Sequence, residues 1–240
     1  MFNLISTSGT GGNMSKKRCD GLETRGRLLD AAAVIFAAGG FHDSKVADIC
    51  RKAGANVAAV NYYFGGKEKL YAEAWRYAFE RSMAAYPPDG GIPASAPAEK
   101  RLYGQIFALV RRIMDPNSLD FDIGHKEMAN PTGLLSEVMR RSIEPLRWSS
   151  MAIVRELLGP QATEQQVQLC EMSIHSQCFG PLMHERHRRQ FPDKRKVLGP
   201  FPKAITYTVM ADHIFRFSLA GISEMRTHSK SSKLTRTAKP

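Results

Sequence analysis

Apolar residues recur along this chain at three- and four-residue intervals and show no strict alternation around an Asn-Gly turn, so the pattern predicts helices rather than hairpins. From Leu22 to Ala38, the positions Leu28, Leu29, Ala32, Val34, Ile35 and Phe36 predict a helix with a broad buried face, stopped by Gly39-Gly40. Ser44 is placed to cap a second, short helix carrying Val46, Ile49 and Cys50, which Gly54 ends. Asn56 is a favoured cap for a third helix, Val57 to Phe64, broken by Gly65-Gly66. A longer helix is expected from Lys67 to Tyr86, with Leu70, Ala74, Tyr77 and Ala78 at helical spacing. The stretch "PPDGGIPASAPAE" then reads as a loop or hinge, because Pro and Gly interrupt any regular ladder.

Beyond the hinge the period stays helical. Lys100 to Met114 carries Leu102, Ile106, Leu109, Val110 and Ile113, and a short helix precedes Asn130-Pro131. Thr132 is placed to cap a long helix reaching Leu158, with Pro145 inside it. Thr163 and Gln166 have capping-box spacing at the start of a helix running to about Arg189. Lys203 to Met225 sets Ile205, Val209, His213, Phe217 and Ala220 along one stripe. The expected fold class is all-α. Its parts are a disordered leader over 1–21, a small three-helix unit with its connecting helix over 22–86, a larger helical domain over 99–225, and a basic disordered tail over 226–240.

Charge changes this picture. Lys and Arg number 34 against 23 Asp and Glu in 240 residues, a formal net charge of +11 that fits an anionic partner. No run of about 18 apolar residues exists to span a membrane. The N-terminus lacks the apolar core of a secretory signal, and Met14 is an alternative start. "GTGG" is followed by no Gly-Lys-Ser/Thr, so it is not read as a phosphate loop. The four cysteines show no CxxC spacing, and Cys170 and Cys178 on one helix stand about 12 Å apart, too far for a disulfide. Reduced thiols in a cytoplasmic protein are expected.

Two short helices joined by a tight turn at Gly54 and braced by a third follow the helix-turn-helix plan, whose second helix enters the DNA major groove. On the third helix, Val60 and Phe64 are four apart and should face inward with Ile49 and Phe36, leaving Val57, Ala58, Asn61 and Tyr62 outside. Small residues at Ala58 and Ala59 let the backbone approach a duplex. Asn61 can pair with adenine, and Val57 or Ala58 can meet a thymine methyl. Tyrosine hydroxyls and Lys67 suit phosphate oxygens.

The segment "RGRLLDAAAVIFAAGGFHDSKVADICRKAGANVAAVNYYFGGKEKLYAEAW" contains an "AAxxxFxxxGF" run, a "VxDI" helix, an Ala-Gly turn and "YYFxxKExL", in that order. It resembles the DNA-binding domain of the TetR/AcrR family of bacterial transcriptional regulators. The resemblance implies a homodimer, assembled through its last two helices, on a near-palindromic DNA operator. It also implies a repressor released by a small-molecule inducer held in the C-terminal domain. Carried over residue by residue, it assigns backbone contacts to Ser44, Lys45, Tyr62, Tyr63 and Lys67, and recognition to Asn56, Val57, Ala58, Ala59 and Asn61. Val57 and Ala59 stand where many members have polar residues, so hydrogen-bond readout is expected to be sparse. Downstream, "KEMANPT" and the helix after it resemble one subgroup that responds to antibiotics and related toxic compounds.

A ligand pocket in such a bundle should be mostly apolar with a few converging polar groups. Candidates are Phe107, Phe121, His125, Trp148, Met151, His175 and Phe179, with Met114 and Cys178 behind them. His184 with His187, and His175 with Cys178, have i,i+3 spacing, but two ligands do not make a metal site, and neither a metal nor another cofactor is expected. The basic run from Arg186 to Lys196 reads as a solvated surface. No GxSxG, HExxH or acidic metal-binding series occurs, so an enzyme is not expected. The alternative reading is a basic helical scaffold or membrane-surface protein without sequence-specific DNA binding.

Overall fold

The computed structural model describes the backbone over residues 11–190 and 205–237, and side chains over 21–186 and 205–227. Its elements are helices α1 (Gly11–Asp43), α2 (Val46–Ala53), α3 (Val57–Phe64), α4 (Lys67–Ala85), α5 (Ala98–Met114), α6 (Leu119–Ala129), α7 (Ser136–Leu158), α8 (Glu164–Gln190) and α9 (Tyr207–Thr237). Among the described residues there are no strands. No helix there is long and apolar enough to cross a membrane.

The ends depart from the expectation. α1 begins at Gly11 and α9 continues to Thr237, so the leader and the tail are helical where they are described, while 1–10 and 238–240 lie outside the described residues. No proline falls in either extension to clash with the preceding turn and remove a donor, so the hydrogen-bond ladder continues. The expected stop at Gly39-Gly40 survives as a kink: Gly40 has φ 69 and ψ −167 inside α1, a conformation costly for a residue with a Cβ.

The chain folds as two compact units. The first runs up to Ala78 and takes in Asp122–Leu135; the second comprises Phe79–Phe121 and the chain from Ser136 onward. Residues 122–135 thus pack with the N-terminal helices rather than with the larger domain to which the sequence assigned them. Two contacts account for this. The Tyr71 hydroxyl donates to Glu127 Oε2 at 3.2 Å, and the Lys126 side chain lies against Gly40, where an added Cβ would stand 3.4 Å from it. Ile123 and Leu135 are wholly buried, and Phe36 meets Tyr71 edge-to-face at 4.8 Å. Burial, then the adjacent Glu127, push the Tyr71 hydroxyl well above its usual range.

Thr132 does not cap α7 but closes a turn over Glu127, its Oγ1 accepting from the Leu134 amide at 3.1 Å. The Thr132 amide and hydroxyl both donate to Glu127 Oε1 at 3.0 Å, the Gly133 amide joins them at 2.9 Å, and α7 starts only at Ser136. The capping box at α8 forms as expected. The Thr163 amide donates to Gln166 Oε1 at 2.9 Å, and the Gln166 amide to Thr163 Oγ1 at 3.2 Å.

In the second unit, α5 contributes Leu102, Ile106, Val110 and Ile113 to the core, joined by Ile153, Val154, Val167, Ile174, Leu182, Ala211 and Ile214. Each of the Leu, Ile and Val side chains brings about 1.5–3 kcal/mol on burial. Arg186 is no part of a wet basic surface. It is buried and donates to the carbonyls of Ile113, Asp115 and Ser118 at 2.9, 2.7 and 2.9 Å, bracing the α5–α6 loop; the side chains of the rest of the run, from residue 187 on, lie outside the described residues.

Candidate nucleic-acid interface

The first unit presents α3 on a frame set by glycines. Gly54 ends α2 in the left-handed conformation (φ 61, ψ 38), and Gly65 ends α3 in the same way (φ 74, ψ 8). Asn56 caps α3, its side chain accepting from the Ala59 amide at 3.2 Å. Val60 and Phe64, 1% and 5% exposed, fix the inner edge. Arg25 lies over the Phe64 ring, 5.2 Å from its centroid, and reaches Glu73 at 2.7 Å, which closes that edge from the α1 and α4 sides.

The outer edge is what the pattern predicted. Val57 is 53% and Tyr62 82% exposed, Ala58 and Asn61 are also exposed, and Ala59 is partly so. α3 carries no ionised side chain, so nothing of its own repels a polyanion approaching its positive N-terminal end. Tyr62 and Tyr63 meet edge-to-face at 4.8 Å, and the half-buried Tyr63 sets its hydroxyl 3.3 Å from where a Cβ on Gly21 would stand. Asn56 is exposed but its side-chain oxygen is already engaged in the cap, which leaves its amide nitrogen to face outward contacts.

Three basic positions flank this edge. Lys45 is exposed at the N-cap of α2 with extended backbone and makes no side-chain cap bond. Lys67, half-buried at the start of α4, holds its ammonium 4.3 Å from the Phe41 ring centroid. Lys69 escaped the sequence reading: its side chain lies over the turn ending α3, with Nζ 3.7 Å from a Cβ built on Gly65. The second lysine of "GGKEK" was its only signal. Ser44 must be removed from the candidate contacts. It is 4% exposed and its hydroxyl donates backward to Gly40 O at 2.6 Å and Ile35 O at 3.2 Å, tying down the kinked end of α1, while Lys45 takes the cap position.

In the second unit the ligand candidates do not converge. Trp148 and Met151 line an open groove of about 530 Å³ between α7 and α8, together with Met139, Ile143, Arg140 and Arg147. His175 lines a separate inner cavity of about 20 Å³ with Gln105, Ser150 and Cys178, room for a single water. The Gln105 Oε1 is buried there with no hydrogen-bond partner among the described residues. Phe121 packs on Phe179 at 5.8 Å, Phe107 on Tyr103 at 5.9 Å, and His125 belongs to the first unit. Next to the cavity, buried Glu171 accepts from His175 Nδ1 at 3.0 Å and from Arg147 Nε at 3.2 Å. Burial pushes its carboxyl up, but these two partners outweigh burial and hold it below its usual range. Burial alone pushes the Cys178 thiol up to about 12. Among the described residues no group of three or more His, Cys, Asp or Glu side chains could hold a metal ion.

α9 has two faces. Met210, Ala211, Ile214, Ser218 and Ile222 are buried, whereas the predicted stripe of Val209, His213, Phe217 and Ala220 is exposed, Phe217 to 65%. On α8, Leu169 and Met172 are exposed as well.

Comparison with known proteins matches both units. A family model described as bacterial regulatory proteins of the tetR family matches residues 28–74, and that of the C-terminal domain of the HTH-type transcriptional dual regulator CecR matches residues 98–222. The chain is 49% identical over 53 residues to the HTH-type transcriptional regulator YdgC of Bacillus subtilis, covering 22% of this chain and 27% of YdgC. It is 30% identical over 106 residues to the HTH-type transcriptional regulator TtgW of Pseudomonas putida, covering 44% of this chain and 75% of TtgW. The match to YdgC thus spans about a quarter of that protein. A solved TetR-like transcriptional regulator from Rhodococcus sp. RHA1 shares the fold, with TM-score 0.60 at 17% identity over 83% of this chain and 96% of that one.

Proposed function

The chain belongs to the TetR family of transcriptional regulators, and from that premise we propose that it is a homodimeric, sequence-specific DNA-binding repressor released from its operator by a small molecule. The observation that carries this reading is the division of α3: Val60 and Phe64 are sealed inside while Val57, Ala58, Asn61 and Tyr62 stand in solvent. In the major groove, Ala58 admits the backbone, Val57 offers a methyl-sized contact to thymine, and the Asn61 amide pairs with adenine. Lys45, Tyr62, Tyr63, Lys67 and Lys69 bind phosphates and hold the register without reading bases. Lys67, already positioned over Phe41, loses less side-chain freedom on contact than a fully solvated lysine.

The second copy covers the exposed stripe of α9 and the exposed Leu169 and Met172 of α8, placing two reading helices on half-sites about one helical turn or more apart. The inducer enters among α5, α7 and α8, where the Gln105 oxygen and His175 supply polar contacts within apolar walls. A cavity of about 20 Å³ is far below the roughly 300 Å³ that a small-molecule site needs, so binding must open it. An inducer works to the extent that it binds this opened form more tightly, with a typical coupling of about 1–3 kcal/mol. α4, which starts one turn after α3, runs on into the second unit and carries the displacement.

Titration of the full-length protein onto a selected duplex, followed by fluorescence anisotropy, tests this. Binding should survive a large excess of random duplex and fall steeply as salt rises. Equal competition by random duplex would leave only a non-specific basic protein.

A further inference from the structure

α5 ends on two adjacent arginines whose surroundings differ. Arg112 is buried, paired with Asp120 at 2.8 Å, and lies between the rings of Phe79 and Phe121 at 4.9 and 4.7 Å from their centroids. Arg111 points the other way and is exposed. Its guanidinium carbon lies 5.0 Å from the Tyr86 ring centroid, 5.7 Å from Phe107 and 5.6 Å from Tyr207. Three rings from the segment after α4, from α5 and from the start of α9 therefore surround one cation. Phe107 and Tyr207 meet at 70°, forming a corner rather than a stack. Among the described residues Arg111 has no carboxylate partner and no side-chain hydrogen bond, so the rings alone hold it.

The walls are themselves anchored. The Tyr86 hydroxyl donates to Asp115 Oδ2 at 3.1 Å, and burial, then this hydrogen bond, raise its titration above the usual tyrosine range, so the phenol stays a neutral ring. Tyr103 stacks on Phe107 at 5.9 Å and meets Phe215 at 5.3 Å. The Asp115 carboxylate, which also accepts from the Asn117 amide at 2.9 Å, adds negative charge at the rim. Ring faces attract a poorly hydrated flat cation through their quadrupoles, each contact within about 6 Å of a centroid counting. Among the described residues nothing else ties the Arg111 head in place, so a free cation of the same shape can exchange with it.

We propose that Tyr86, Phe107 and Tyr207 form a binding site for flat organic cations of the guanidinium and amidinium class, and that Arg111 occupies it as a built-in plug. A plugged site binds an external ligand more weakly by the fraction of time it stands open. Removing the plug therefore strengthens binding, while removing a wall abolishes it. The site is separate from α3, and its test needs no DNA.

Phenylguanidinium is titrated into the full-length protein by isothermal calorimetry, with neutral phenylurea as the shape control. Arg111→Ala should bind phenylguanidinium about tenfold or more tighter than the unsubstituted chain. Arg111→Gln, which keeps two of the three stem methylenes, should do the same and substitutes for it if the alanine variant folds poorly. Adding Phe107→Leu or Tyr207→Leu to either should remove the gain, and phenylurea should not bind. The assignment is overturned if neither Arg111 variant gains affinity, if phenylurea binds as well as the cation, or if the ring substitutions leave binding intact. Tighter binding of tetramethylammonium than of phenylguanidinium would overturn the preference for a flat cation.

Discussion

α3 and α9 each bury one edge and leave the other in water, but with different side chains. On α3 the outer edge combines one methyl-sized and one isopropyl side chain with an amide and a phenol, and has no ionised group. On α9 it is Val209, His213, Phe217 and Ala220, with the His213 and Phe217 rings stacked at 6.1 Å. A groove with donors and acceptors on its floor rewards the first mixture, because small residues admit the backbone and amides pair with base edges. Burying the second in such a groove would leave phenylalanine against polar groups. An apolar partner surface, such as a second copy of the same stripe, recovers its transfer energy instead. These two exposed edges therefore point to two kinds of partner.

The comparison is broken most severely by placing a charge on the apolar stripe. Phe217→Arg should convert the dimer to a monomer in sedimentation velocity and lower operator affinity by about a hundredfold or more, since one reading head loses its tethered partner. Unchanged assembly would remove α9 from the interface. Asn61→Ala should cost about 1–3 kcal/mol on the preferred duplex and relax selection at one base pair per half-site, as read by competition with single-base variants. An equal loss on every sequence would make Asn61 a phosphate contact. Lys69→Ala should weaken all duplexes a few-fold and make the salt dependence shallower by about one unit of slope.

The smallest expected effect lies in the second unit, away from both edges. Glu171 titrates below its usual range in the fold, so its stabilisation is present above the unfolded value of about 4.3 and drains away as pH falls through the folded value. Glu171→Gln should therefore cost about 1 kcal/mol in urea unfolding at pH 7 and converge with the unsubstituted chain in acid. A difference that persists below about pH 3 would mean that shape, not charge, holds the Arg147 and His175 pair.

Some of this was legible before any coordinates. The inward pair Val60 and Phe64 and the outward set on α3 follow from the helical period alone, because an eight-residue helix between an asparagine N-cap and a glycine C-cap leaves little freedom of phase. The Thr163–Gln166 box is equally local. Ser44 and Thr132 show where local reasoning fails. Both are good caps by type, but the path of the chain around each decides which acceptor its hydroxyl meets and whether a helix starts beside it. For Ser44 that acceptor is a carbonyl exposed by the Gly40 kink, and for Thr132 a buried carboxylate five residues back. The α9 stripe was visible as periodicity, yet only the fold shows that it faces solvent while its neighbours form the core. The ligand candidates scattered because an aromatic at helical spacing packs against whatever neighbour is present. Lys69 was hidden behind Lys67, as its position over Gly65 depends on how α4 leaves the turn.

Selection of fragments bound from random duplex DNA, run in parallel with the native chain and with Asn61→Ala, tests the reading edge most directly. The native chain should enrich a near-palindromic motif of two half-sites about one helical turn or more apart, and the variant should return the same spacing with one base position relaxed in each half. Fragments no more alike than the starting pool, or an identical motif from both proteins, would contradict the role given to α3.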